Sequence, residues 1–154
     1  MDSDLESISS VGDFNEWLVE QAKVLHSRRS ELLDWDKLAE ELEGMAASQR
    51  RELKNRLHVL LLHLLKWQTQ PSERTYSGRG WLLSIREARR QIVDLVNYSP
   101  SLKRYLPELM AGAWEWACED AREDAPNYSF PEVCPWPYET LVGRDFLPPD
   151  SRIS

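Results

Sequence analysis

Apolar side chains recur three and four positions apart along most of this chain, and nowhere alternate long enough to mark a strand. The pattern therefore predicts helices almost throughout. The first is announced by Asp13 with Glu16 three residues on, a capping-box-like start in which the Asp13 carboxylate takes an early backbone N–H. Phe14, Trp17, Leu18, Gln21 and Leu25 then share a stripe, and the helix is expected to end near Arg29 or Ser30, where basic side chains suit the negative end of the helix dipole. A second helix starts at Asp34 or Asp36 and carries Leu38, Leu42 and Met45 on one face, with Gly44 and Ser48 predicting a break or bend near 44–48. A long third helix follows, from about Ser48 to Trp67 or Gln70.

The segment Pro71–Gly80, with Ser72, Ser77, Gly78 and Gly80, reads as a loop by its breakers. A fourth helix spans about Trp81 to Asn97, with Trp81, Ile85, Ala88, Ile92 and Leu95 or Val96 as its buried stripe. Ser99-Pro100 is a cap followed by proline at the first helical position. The fifth helix runs from there to about Asp124, with Pro107 kinking or restarting it. From Pro126 onwards the chain holds six of its nine prolines, yet Tyr128, Phe130, Trp136, Tyr138, Leu141, Phe146 and Leu147 are anchors that a disordered tail would lack. The expectation is an all-α, single-domain bundle of about five helices: a flexible N-terminus over 1–12, the bundle over 13–125, and a proline-rich extended C-terminal wrap, ordered and packed on the same domain, over 126–150.

Composition narrows the class without naming a chemistry. A chain of 154 residues, 42% hydrophobic and 29% charged, has the balance of a globular domain. Its longest apolar stretch, Val59 to Leu65, is broken by His63 and followed by Lys66, so nothing in it reads as a membrane span. The acidic start Met1-Asp2-Ser3-Asp4 lacks the layout of a secretory signal, which leaves the cytoplasm as the default compartment. Cys118 and Cys134 have no metal-binding spacing and read as reduced thiols, and His26, His58 and His63 are too scattered for a metal box. No phosphate loop, His-Glu-x-x-His helix, nucleophile elbow or paired Glu-x-x-His occurs, so neither a cofactor nor a metal is expected.

Charge is segregated. Residues 1–49 carry 12 acidic and 4 basic side chains, residues 50–104 carry 4 and 12, and residues 105–154 carry 10 and 3. A basic middle between acidic ends suits nucleic acid or an acidic partner, but it suits equally a bundle in which acidic outer helices neutralise a basic central pair. The net charge of −7 favours the second reading, because long-range attraction of phosphate depends on the summed field.

The third helix carries the candidate chemistry. Leu53, Leu57, Leu60, Leu61, Leu64 and Leu65 fall on one broad face, while Glu52, Arg56, Val59, His63, Lys66, Trp67 and Gln70 fall on the opposite stripe. If this helix is central, His63 and Arg56 need partners, for which Glu40 and Glu41 of the second helix and Arg86 or Arg90 of the fourth are candidates. One reading is a polar network that fixes helix register, or a plainly exposed stripe. The other is a site: His63 as general acid or base oriented by Glu41, with Lys66, Arg86 and Arg90 holding an anion.

Several runs together resemble a known family. Leu38-Ala39-Glu40-Glu41-Leu42-Glu43, His63-Leu64-Leu65-Lys66-Trp67-Gln68, Ile85-Arg86-Glu87-Ala88-Arg89-Arg90, Ser99-Pro100-Ser101-Leu102 and Phe130-Pro131-Glu132-Val133-Cys134-Pro135-Trp136 occur in that order. With Asp145-Phe146-Leu147-Pro148 they resemble the bacterial domain-of-unknown-function family 29 over about Phe14 to Pro148. The resemblance implies an all-helical fold and carries no activity or catalytic residue. It falls on Glu41, His63, Lys66, Trp67, Arg86 and Arg90, which the periodicity also singles out.

The expectation for function is a non-enzymatic helical interaction module. It would bind a protein partner, or nucleic acid through the basic segment 50–104, with Arg56, Lys66, Trp67, Arg86 and Arg90 as binding residues. The alternative is a small hydrolase or nuclease-like enzyme on a phosphate-containing substrate, built on Glu41, His63 and Lys66.

Overall fold

In the computed structural model, residues 13–150 are described and fall into five α-helices joined by 3-10 turns, with no strand among them. The N-terminal segment read as flexible, 1–12, lies outside the described residues. The helices are α1 (Phe14–Ser27), α2 (Trp35–Thr69), α3 (Arg74–Tyr98), α4 (Leu106–Asp124) and a single turn, α5 (Tyr138–Leu141). The all-α class is as the periodicity predicts. The described residues belong to two compact bodies, one through Ala46 and one from Ala47.

The first body comprises α1, a 3-10 turn at Ser30–Leu32 and the opening of α2. Asp13 caps α1 as predicted, its carboxylate accepting the Glu16 N–H at 3.0 Å. The helix closes on Arg28, whose φ of 59° is the left-handed conformation usually given to glycine. What holds this body together is small and partly polar. Trp17 and Gln21 are buried, Gln21 accepts the Asp34 N–H at 3.2 Å, and the Lys37 ammonium lies 4.8 Å from the Trp17 ring centre.

The second body is built on the leucine face of α2. Leu53, Leu57, Leu60, Leu61, Leu64 and Leu65 are all buried, as their spacing predicts. They meet Ile85, Ala88, Ile92 and Val96 of α3 and Leu109, Ala113, Trp114, Ala117 and Ala121 of α4 in one core. Phe130, Trp136, Tyr138, Leu141, Val142, Phe146 and Leu147 from the C-terminal segment pack against that core. Trp114 donates to the Pro131 carbonyl at 3.0 Å, and Gln68 donates to Pro149 at 3.0 Å.

Two helix boundaries differ from the sequence reading. The break expected at 44–48 is absent, and α2 runs unbroken through it. Gly44 is exposed with nothing near its Cα, so it costs the helix only its intrinsic penalty of about 1 kcal/mol. The loop expected at 71–80 is a 3-10 turn, Pro71–Glu73, followed directly by helix. Gly78 sits inside α3 because a Cβ there would meet Arg74 Cβ at 3.3 Å and the Trp67 ring at 3.5 Å. Its role is close approach, not a turn. Pro107 restarts the chain after the 3-10 turn Pro100–Tyr105 and falls in the first turn of α4, where its missing N–H is harmless.

Candidate functional site

The polar stripe of α2 is neither sealed nor open. Arg56, Val59, His63, Lys66, Trp67 and Gln70 are all half-buried, and Glu52 is exposed. His63 bonds back to its own helix, its Nδ1 lying 2.7 Å from the Val59 carbonyl. Burial pushes its proton affinity down, the Val59 carbonyl opposes this, and nearby Lys66 and His58 add to the lowering. The neutral ring is therefore the favoured form in the folded protein.

That lowering has a sign that can be measured. Below the ordinary value of 6.5 the unfolded chain takes up a proton at His63 that the folded chain resists. Stability from this residue is thus present above that pH and lost progressively as pH falls towards the depressed folded value. Melting temperatures of the wild type and His63→Gln, compared from pH 8 to pH 5, should show a steeper acid-side fall in the wild type. Parallel profiles would mean that the ring is hydrated.

Of the other residues singled out by sequence, Lys66 lies near His63, whereas Glu41, Arg86 and Arg90 have other surroundings. The pairing of His63 with Glu41 depended on a turn between two antiparallel helices, and that turn does not exist because α2 is continuous. Glu41 belongs to the first body. Arg56 lines a groove of about 280 Å³ with Val59, Leu83, Ser84, Glu87 and Gln91, its Nε buried without a partner. Arg86 lines a different groove of about 470 Å³ with Arg144 and Asp145, and Arg90 is paired to Glu87 at 2.6 Å on the surface. Trp67 lies beneath the Arg74 guanidinium, 4.4 Å from it, while Arg74 also bonds the Trp67 carbonyl and Asp150.

Part of the basic middle is occupied, though seldom by carboxylates. Arg50 stacks over Tyr105 at 5.0 Å, and Lys54 over Trp116 at 3.7 Å. Arg89 is buried and donates to the carbonyls of Leu141, Arg144 and Phe146. Among the described residues, Arg74 pairs with Asp150 of the acidic tail at 2.5 Å, and the His58 ring Nε2 lies 2.7 Å from the Asp120 carboxylate. Where these cations are held, aromatic rings and backbone carbonyls more often hold them than acidic neighbours do, which spacing does not reveal.

Two surfaces were not read as sites from the sequence. In the second body, an apolar groove of about 490 Å³ lies between the first turns of α4 and the extended 132–138 segment. Cys134 and Tyr138 line it, and burial raises the proton affinity of both, so both are uncharged near neutrality. The density of proline and aromatic residues there was legible, but only as anchorage. In the first body, Trp35 is 63%, Leu42 63% and Met45 60% exposed. Their spacing reads as a face to be buried, and the structure leaves it uncovered. Phe14, Leu18 and Leu25 of α1, predicted to share a stripe with Trp17, are also exposed.

Among the described residues, no helix is long and apolar enough to cross a membrane. Comparison with known proteins gives one match: the model of the family described as Domain of unknown function DUF29 fits residues 11–147. No curated protein and no solved structure matches the chain.

Proposed function

The chain belongs to the DUF29 family, and on that premise we propose that it is a non-enzymatic interaction module that docks a protein partner on the first body. The observation that carries this is the uncovered face of α2. Trp35, Leu38, Leu42 and Met45 follow one another at spacings of three, four and three, the repeat of a coiled-coil seam. Three of the four are largely exposed, whereas large apolar groups grouped on one face usually mark an interface.

The partner that fits is an amphipathic helix with basic residues beside its apolar stripe. Glu41 holds the flanking position beside the seam, and Asp36 and Glu43 lie next to it on the helix surface, so lysine or arginine at the flanking positions of the partner would be complementary. An antiparallel second copy of the same face would set Glu41 against its own kind, which disfavours that form of self-association. The catalytic alternative lacks comparable support: His63 is turned onto Val59, Arg56 and Arg90 are gathered on Glu87, and Arg86 lines a separate groove. The nucleic-acid version is disfavoured by the net charge of −7, because long-range attraction of phosphate depends on the summed field.

The test uses the whole chain and the double variant Leu42→Asp, Met45→Asp, whose sites are exposed and should leave the melting temperature nearly unchanged. A leucine-seam model helix with lysine flanks should bind the wild type and bind the variant at least about 30-fold more weakly, since burying two such side chains is worth roughly 3 kcal/mol or more. A glutamate-flanked version of the same helix should bind poorly. Equal binding to wild type and variant would refute the seam. Binding of duplex or single-stranded nucleic acid that weakens steeply with salt, and is unaffected by the variant, would favour the basic segment instead.

A further inference from the structure

The apolar groove of the second body has features that a docking seam elsewhere does not explain. We propose that it binds an alkylated ammonium group, the head of a small molecule or of a methylated lysine side chain. Trp114 and Trp136 meet edge to face, 5.7 Å between ring centres and 88° between planes, and Tyr138 lines the same groove. Trp114 is buried and forms the floor, while the half-buried Trp136 indole and Tyr138 phenol offer the electron-rich ring faces on which aromatic residues hold alkylated cations.

Charge points the same way. Glu132 is the one charged residue among those lining the groove, and no lysine or arginine lines it. Glu132 forms no ion pair among the described residues. Elsewhere in this body the aromatic rings carry cations of the protein's own: Arg50 on Tyr105, Lys54 on Trp116, Arg74 on Trp67 and Arg122 on Phe130. The rings of the groove carry none. An anion would face Glu132 without a lysine or arginine to offset it, and a neutral apolar ligand would gain nothing from the exposed carboxylate. An alkylated ammonium satisfies both the rings and the carboxylate, and its methyl groups shed water at little cost. A groove of about 490 Å³ has room for such a head and an apolar stem along Met110.

The experiment is an NMR titration of the full chain carrying ¹⁵N-labelled indoles. The probes are choline, its uncharged isostere 3,3-dimethylbutan-1-ol, and a short peptide with trimethyllysine beside its unmethylated control. Choline or the methylated peptide should shift the Trp136 indole signal saturably, with the isostere at least about tenfold weaker. The Glu132→Gln variant, an exposed change that leaves the fold intact, should weaken binding several-fold, and Trp136→Leu should abolish it. A methylated peptide that binds far better than choline identifies a protein side chain as the ligand; choline alone identifies a small molecule. Isostere binding equal to choline, indifference to Glu132→Gln, or no saturable shift with any charged probe at millimolar concentration overturns the proposal. The Leu42→Asp, Met45→Asp variant should bind choline normally, so failure here and failure of the seam are separate results.

Discussion

Arg89→Met should lower the stability of the protein by about 3–5 kcal/mol, the range for removing a buried charged partner whose neighbours are left unsatisfied. The residue is only 8% exposed, and its guanidinium reaches three backbone carbonyls: Leu141 at 2.7 Å through Nε, Arg144 at 3.3 Å through Nη1, and Phe146 through Nη2. Burial lowers the proton affinity of Arg89 and the nearby Asp145 carboxylate raises it again, but the group keeps its charge because arginine starts so high. Methionine fills much of the same volume and supplies no donor. The three carbonyls would then lose charge-assisted bonds worth roughly 1.5–3 kcal/mol each, less whatever water recovers. Thermal unfolding should shift down by roughly 10–20 °C. Arg89→Lys should rescue little, since one ammonium cannot span carbonyls that a planar fork reaches together. A loss below about 1 kcal/mol would mean that the apolar anchors Leu141 and Phe146 hold the C-terminal segment unaided.

Arg89 also shows where sequence reading stops. Periodicity placed Ile85, Ala88 and Ile92 on the buried face of α3, and all three are buried. It grouped Arg89 with the basic residues, because nothing in the spacing reports that a guanidinium will meet three carbonyls more than fifty residues downstream. The same blindness governs the candidate site. Which residues form the leucine face of α2 and which the opposite stripe was legible, because a 3.6-residue period is a local property. Whether Arg56, His63, Arg86 and Arg90 converge is a property of how helices pack: Arg56 and Arg90 both come to Glu87, while Arg86 lines another groove. Gly44 and Gly78 misled for a related reason. Each was read as a local breaker, but one is tolerated on an exposed surface and the other sits where a Cβ would crowd Arg74.

The second body has a large apolar core, and the first buries little beyond Trp17 and Gln21. That asymmetry bears on function. A body that leaves Trp35, Leu42 and Met45 in water gains nothing from them in isolation, and a partner helix would recover roughly 25 cal/mol for each Å² of apolar surface it covers. The docking reading therefore makes a claim about stability as well as binding: the side chains of the seam should be nearly silent in the free protein.

That claim is sharpest when one residue type is compared at two places on one helix. Leu61 and Leu42 both lie on α2, the first 0% exposed and the second 63%. Leu61→Ala removes buried methyl groups and opens a cavity among Leu57, Leu64 and the residues packed against them, which should cost about 3 kcal/mol, within the 2–5 kcal/mol range of such truncations. Leu42→Ala should change stability by no more than about 0.5 kcal/mol, offset in part by the better helix propensity of alanine. Urea unfolding with matched slopes would measure both. The order should invert when the readout is binding of the lysine-flanked helix: Leu42→Ala should weaken it several-fold, and Leu61→Ala should leave the affinity of the folded fraction unchanged. If Leu42→Ala instead destabilises the free protein by 2 kcal/mol or more, the seam is already covered by the chain itself. The first body would then be a structural element, and the docking surface would have to be sought elsewhere.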